Sequence, residues 1–419
     1  YMNICLKGAG NARAPKVWYY SASFLADLSG DPAMALRLLR KAESARGSRF
    51  VGESVKVLRM YLDAKTSHYD AAYLDRLYGQ IRWLDAKICD GITGKVREIT
   101  ADGYDLHISR SYYYWNDMLR KVLIGVIAPK MDKVDPVLSL RLRNMADNRL
   151  LQLVDRFTTD WYDGKWQEKP KTYTMARYRA ATDIDNMFDY SNYYFNALDT
   201  LDLNAVIRYE QRMGADTTEL GRYLDERGYV NHNYVRELIG TRYLRERKYQ
   251  KAEAFLSQVP SSYERTTNVY KYFRRMPFIY DHKKGKVQRN YKLAFAREMA
   301  ALEKQAKSMN PDVRGVALVR YGVGLMSSFD YCWALTQYHL IYDDGWMTAE
   351  YRKQALSDAG KYINEGLGII RDPEIAAGTY ALLCRFKSAA EKYPQTKTAS
   401  DLRSSCDRLN DYKVRRWVL

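Results

Sequence analysis

Cysteine is scarce. Only Cys5, Cys89, Cys332, Cys384 and Cys406 occur in 419 residues. None form a Cys-x-x-Cys pair, and none stand near histidine at metal-ligand spacing. An odd, sparse set excludes a disulfide framework, and buried free thiols are the expectation. Cys384 and Cys406 would meet only if two adjacent helices carry them. Proline numbers 10 and glycine 24, which excludes a collagen-like or low-complexity chain. Long apolar runs are missing as well. The longest uncharged candidates, Val122–Pro129 and Tyr331–Tyr342, are too short to span a bilayer and read as buried helices.

The signatures of common chemistry are missing too. Gly91, Gly94 and Lys95 contain a Gly-Lys step with the wrong spacing for a phosphate loop and no hydroxyl after the lysine. No His-Glu-x-x-His or Gly-x-Ser-x-Gly occurs. His68, His107, His232, His282 and His339 are far apart in sequence. Asp183, Asp185 and Asp189 lack the central glycine and terminal glutamate of a calcium loop, and read as a helix surface. Two facing carboxylates could cleave a glycoside from any sequence positions, but no single glutamate sits in a motif that asks for it. The expectation is a non-catalytic chain with no cofactor and no metal.

What is present points to a folded, helical, basic protein. Hydrophobic residues make up 47% and charged residues 28%, with a mean hydropathy of −0.51. Lys and Arg total 67 against 50 Asp and Glu, a net charge of +17. Such a surplus favours anionic partners: nucleic acid, anionic lipid or glycan, or an acidic protein face. Most of the basic residues alternate with acids, as on ordinary exposed helices. The segment 258–290 differs, with eight basic residues against Glu264 and Asp281.

The hydrophobic period is helical throughout. Asp31-Pro32 combines an N-cap with proline at the first helical position, ahead of Ala35, Leu38, Leu39 and Ala42 on one face, and Gly47 reads as the stop. Val55, Leu58 and Leu62 mark a helix over 51–65. Tyr73, Leu74, Leu77, Ile81 and Leu84 mark one over 69–88. Leu138, Leu142, Met145, Leu150 and Val154 mark one over 136–157. Gly315, Gly322 and Gly324 would weaken an exposed helix, so a close helix approach is their expected use, with Trp333, Leu335 and Tyr338 packed nearby. Two stretches break the pattern. Segment 160–173 is a turn-rich aromatic connector, and about 258–290 reads as a long loop or insertion.

Asn233–Pro260 carries a repeat-like arrangement: Ile239-Gly240, then Tyr243, Tyr249, Ala252 and Leu256. It resembles the tetratricopeptide repeat, in which two antiparallel helices cross at small residues. Arg236, Val259 and an early Pro260 depart from the pattern. Ala35, Leu39 and Ala42 form a second partial match. Tyr393-Pro394 followed by Thr396 and Ala399 forms a third, similar to the inter-repeat turn of tetratricopeptide lipoproteins of Gram-negative envelopes. The resemblance covers a fifth to a quarter of the chain. The expected fold is all-α: an α-solenoid of antiparallel helical hairpins with few or no strands. Residues 1–159 would form an N-terminal hairpin array and 174–419 a C-terminal tetratricopeptide-like array.

The 37 tyrosines and 8 tryptophans, against 11 phenylalanines, suit wet amphipathic surfaces as well as helix packing. Candidate partner-binding residues are Tyr270, Tyr272, Arg274, Arg275, Lys283 and Lys284 in the basic segment, with Tyr112, Trp115, Trp161 and Trp166 outside it. Together with the resemblance these imply an interaction scaffold, an accessory subunit of a periplasmic or outer-membrane-associated protein complex. The alternative is a glycan-binding surface lipoprotein serving an outer-membrane importer. An anionic lipid surface is a further possible partner. Nucleic acid is the weaker option, because no fold or motif for it occurs. The chain starts at Tyr1 in mid-pattern, so any leader or lipid-anchor cysteine belongs upstream.

Overall fold

The computed structural model describes residues 1–92, 110–154, 160–162, 165–167, 193–228, 230–260, 291–328, 348–383 and 385–404. The fold is all-α. Among the described residues the exception to helix is one antiparallel hairpin, Asp160–Tyr162 with Lys165–Gln167, inside the expected connector. The described residues fall into two units, up to 230 and from 231 onward. Helices Tyr193–Thr200, Leu203–Arg212 and Glu219–Arg227 therefore go with the N-terminal unit, because they pack on its helix Pro136–Val154.

The N-terminal unit opens with Met2–Asn11, Lys16–Leu28 and Pro32–Ser44. Asp31 accepts a hydrogen bond from the Met34 amide (2.8 Å), Pro32 takes the first helical position, and Gly30 turns the chain at φ 85°. Ala22, Ala26, Ala35, Leu39 and Leu62 are fully buried between these helices and Arg49–Thr66. Gly47 does not stop helix 32–44, which ends at Ala45 in an extended conformation. Its use is contact: a Cβ there would lie 2.5 Å from Lys16 Cβ. Helix Ala71–Ile92 comes next, burying Tyr73, Leu77, Ile81, Leu84 and Ile88. Helix Arg110–Val122 widens into a π turn at Leu123–Ile127 and resumes as Ala128–Met131. Pro129 explains the turn, since it has no amide to continue the α ladder, and the Ala128 amide reaches back to the Leu123 carbonyl instead.

Helix 136–154 lies at the centre of this unit and is buried around its circumference between Val137 and Ala146. Leu138, Leu142 and Met145 are buried as their spacing predicts, but so are Ser139, Arg141, Arg143, Asn144, Asn148 and Arg149. Each of these polar side chains has a partner. Arg141, 2% exposed, meets Asp225 at 3.0 Å, Asp216 at 2.6 Å and the Arg212 carbonyl at 2.6 Å. Arg143 grips Asp132 with two bonds of 2.6 and 2.8 Å. Burial would lift the Asp132 carboxyl, but the hydrogen bonds from Arg143 and Ser139 outweigh it and hold the group below the usual range. Arg149 grips Asp85 at 2.5 and 3.0 Å, and Tyr223 (2.8 Å) and Arg227 (2.9 Å) donate to the same carboxylate. Asn144 donates to the Tyr209 hydroxyl (2.9 Å), which lies 3.1 Å from that of Tyr194.

The second unit begins with the repeat-like pair, helices His232–Arg245 and Tyr249–Leu256, joined by a short turn in which Arg247 has φ 58°. Asn231 caps the first helix through the Tyr234 amide (3.1 Å). The small residues stand where the two helices meet. A Cβ on Gly240 would lie 2.5 Å from Leu256 Cγ, and Ala252 is fully buried. Tyr249 sets its ring edge-on to Phe295 and Tyr321. Helix Tyr291–Gln305 adds Lys292, 1% exposed, which forms an ion pair with Glu237 (3.1 Å) and donates to the Thr241 hydroxyl (2.8 Å).

Helices Pro311–Ser327 and Ala349–Ile369 pack extensively. Gly315 faces Gly366 and Ile370, while Gly322 faces Ala359 and Ile363, so the two run antiparallel. A Cβ on Gly322 would lie 2.7 Å from the Ala359 carbonyl oxygen. The close approach expected of Gly315 and Gly322 is therefore present, while Trp333, Leu335 and Tyr338 lie outside the described residues. Pro373–Leu382, Phe386–Lys392 and Lys397–Ser404 complete the unit around Val319, Ile363, Leu367, Tyr380, Ala389 and Leu402. Glu374 caps the last helix by accepting from the Lys397 (2.8 Å) and Thr398 (3.0 Å) amides.

Gly322→Ala should destabilise the second unit by about 1–3 kcal/mol in urea unfolding, because a backbone oxygen cannot move aside. Gly360→Ala, on the same helix pair but with open space over its Cα, should be neutral or gain about 0.5–1 kcal/mol. In the first unit, Asp85→Ala should cost about 3–5 kcal/mol, since it strands the buried Arg149 guanidinium. Equal, small effects from Asp85→Ala and an exposed-site control would contradict that reading of the core.

Candidate functional site

Two helical stripes face each other in the N-terminal unit. On helix 49–66, Lys56, Arg59, Met60 and Asp63 recur at spacings of three and four, so they share a face. On helix 71–92, Arg76, Gly79, Gln80 and Trp83 do the same. With Glu43 from the end of helix 32–44, seven of these eight residues, all but Asp63, line a cleft of about 350 Å³. That is the low end of the range for small-ligand sites, about 300–1,000 Å³.

Its charges are of two kinds. Arg59 is occupied: it holds Glu43 through paired bonds of 2.9 and 2.8 Å and lies 3.8 Å from Asp63. The Glu43 hydrogen bond raises the Arg59 pKa. Burial lifts the Asp63 carboxyl above its ordinary value, against the opposing pull of Arg59, Gln80 and Arg76. Lys56 and Arg76, by contrast, have no carboxylate at ion-pair distance among the described residues. Lys56 Nζ lies 5.2 Å from the centre of the Trp83 ring, and the Arg76 guanidinium lies 6.0 Å from that of Tyr73. Both cations are exposed.

The apolar wall is held from behind. Trp83 meets the Trp115 ring edge-on at 6.0 Å, and Trp115 is in turn flanked by Phe50 and Tyr114. Met60 is buried beneath the cleft. Gln80 Oε1 is buried and has no hydrogen-bond partner among the described residues. Gly79 has nothing within 4 Å of where a Cβ would stand, so neither packing nor backbone conformation calls for glycine there. Its effect is to leave the cleft open along bare helix backbone.

The arrangement can hold an anionic group against an aromatic face. Among the described residues no cluster of three or more His, Cys, Asp or Glu side chains has metal-site geometry. No helix of the described residues is long and apolar enough to cross a membrane.

Of the residues singled out by sequence, Trp115 is 4% exposed, so its ring belongs to the core and supports the cleft from behind. Tyr112 lies on helix 110–122. Trp161 and Trp166 stand directly opposite each other in the short hairpin. Tyr270, Tyr272, Arg274, Arg275, Lys283 and Lys284 lie outside the described residues. Sequence reasoning does not find the cleft. Its one signal is the glycine at 79 inside a strong helical pattern, between Arg76 and Trp83 on one face. In comparison with family models, curated proteins and solved structures, the chain matches none of them.

The raised Asp63 carboxyl has a measurable consequence. Its ionised form is disfavoured in the folded chain, so stability from this group is full at low pH and falls as pH rises through the folded pKa. Asp63→Asn should therefore raise the unfolding midpoint at neutral pH, by less than about 1 kcal/mol for a partly exposed group. The gain should vanish near about pH 3, where the carboxyl is protonated in both states. A gain that persists at low pH would mean that packing, not charge, causes it.

Proposed function

We propose that this chain is a non-catalytic interaction scaffold, an accessory subunit of a protein complex of the cell envelope, periplasmic or outer-membrane-associated. The observation that carries the binding role is the cleft. Buried ions in the same unit are paired, yet the exposed Lys56 and Arg76 stand beside aromatic rings with no carboxylate at ion-pair distance among the described residues. Charges left in that state at an open aromatic wall suit recognition by an external group.

The solenoid reading rests on the helical pairs. Small residues at 240 and 252 sit between helices 232–245 and 249–256, and a similar pair joins 16–28 to 32–44. Stacked pairs of this kind present long surfaces to other proteins. The envelope assignment rests on the likeness of the Tyr393-Pro394 turn to those of tetratricopeptide lipoproteins. A second reading, glycan capture for an outer-membrane importer, is favoured by the facing positions of Trp161 and Trp166. Paired aromatic residues are a common platform for sugar rings.

Native co-purification from gently solubilised envelopes tests the first reading. A stoichiometric envelope complex is the expected result, weakened when Arg274 and Arg275 are both changed to Glu. A chain recovered alone at low salt would overturn it. Retarded migration in polysaccharide gels, lost on Trp161→Ala, would favour glycan capture instead.

A further inference from the structure

We infer that the cleft between helices 49–66 and 71–92 is a docking site for an acidic peptide segment, in which separate carboxylates meet Lys56 and Arg76 and a neighbouring apolar side chain lies on Trp83. This deepens the scaffold reading and rests on it for the choice of a polypeptide ligand. The parts of the site each specify something about the ligand. Two cations without carboxylate partners ask for negative charge. Glu43 and Arg59 already neutralise each other at one edge, and Arg76 acts on Asp63 only from beyond ion-pair distance, so the remaining positive charge lies on the Lys56 and Arg76 walls. The Trp83 face offers apolar contact beside that charge, and Trp115 packed behind it keeps the ring in place. Gly79 leaves room for a backbone to approach that of helix 71–92.

A neutral sugar does not answer this chemistry, because it brings no charge to Lys56 or Arg76. A long polyanion without apolar side chains does not answer it either, because it leaves the Trp83 face uncovered. An alternation of acidic and apolar residues answers every part.

Isothermal titration calorimetry with a hexapeptide alternating glutamate and leucine tests the assignment on the full chain. The control peptide carries glutamine in place of glutamate. The glutamate peptide should bind, and the control should bind about tenfold more weakly or worse. Lys56→Glu should weaken binding by at least about tenfold, and raised salt should weaken it in the unsubstituted chain. Gly79→Leu should abolish binding by filling the cleft. That variant folds: its side chain meets open space, and leucine is a better helix former, so its melting midpoint should hold or rise. Binding that survives both Lys56→Glu and Gly79→Leu would overturn the assignment. So would no binding of the glutamate peptide at about millimolar concentration. Tetragalacturonate that binds in a Lys56-dependent way, where the peptide does not, would overturn it in favour of an acidic glycan.

Co-purification with the same variants separates this inference from the scaffold reading. A complex retained by Gly79→Leu keeps the scaffold and removes the cleft from it. A chain recovered alone removes the scaffold, and the peptide titration then still decides the chemistry of the cleft.

Discussion

The ion pair of Arg149 with Asp85 is the constraint on which the first unit depends. Helix 136–154 is enclosed, so water cannot solvate the polar side chains it carries, and each must find its partner within the protein. One carboxylate, 3% exposed, serves Arg149, Arg227 and Tyr223 together. Helices 71–92 and 219–227 are thereby fixed on opposite ends of the same interaction. Arg141 repeats the device with Asp216 and Asp225, and it also takes the carbonyl that ends helix 203–212. Such pairs contribute little net stability over an apolar core of equal volume, because desolvation offsets most of the attraction. Their contribution here is register. A helix shifted by one residue would bury guanidinium groups with no carboxylate opposite. The Cys89 thiol is drawn into this network: burial and the charge of Asp85 raise its pKa, while Arg149 opposes them. The balance favours the thiol over the thiolate.

This core also shows where sequence reading succeeds and fails. Local signals carry over well. Asp31-Pro32 caps its helix, the apolar residues at 35, 38, 39 and 42 are buried together, and Gly315 and Gly322 lie against a neighbouring helix. Each of those depends on residues a few positions apart, or on small size itself. Ser139, Arg141, Arg143, Asn144, Asn148 and Arg149 give the opposite signal, since polar residues in a helical period look like a solvated face. Their burial depends on partners such as Asp85 and Asp225, at separations of 64 and 84 positions. No local pattern encodes that. The cleft escapes for a related reason. Lys56 and Arg76 are unremarkable basic residues on exposed helical faces, and only the facing of two helices makes them neighbours across one cleft with Trp83. Gly47 shows the converse: a glycine near a helix end reads as a stop, whereas contact with Lys16 is what uses its small size.

The contrast between paired and unpaired cations within one unit bears on what the cleft can select. Arg59 is pre-empted by Glu43, so it shapes the wall without attracting an anion from solution. Lys56 and Arg76 keep their attraction, and each is backed by an aromatic ring that limits how far it can swing. The exposed position sets a limit in the other direction. A carboxylate reaching these cations stays partly hydrated, so the charge contribution is modest and sensitive to salt. Burial of an apolar group on Trp83 must then supply the rest of the affinity, at about 25 cal/mol for each Å² withdrawn from water. Charge alone would make the cleft indiscriminate, and the ring alone would make it weak. A ligand that presents carboxylates together with an apolar side chain draws on both, and Lys56 standing 5.2 Å from the Trp83 ring puts the two demands side by side.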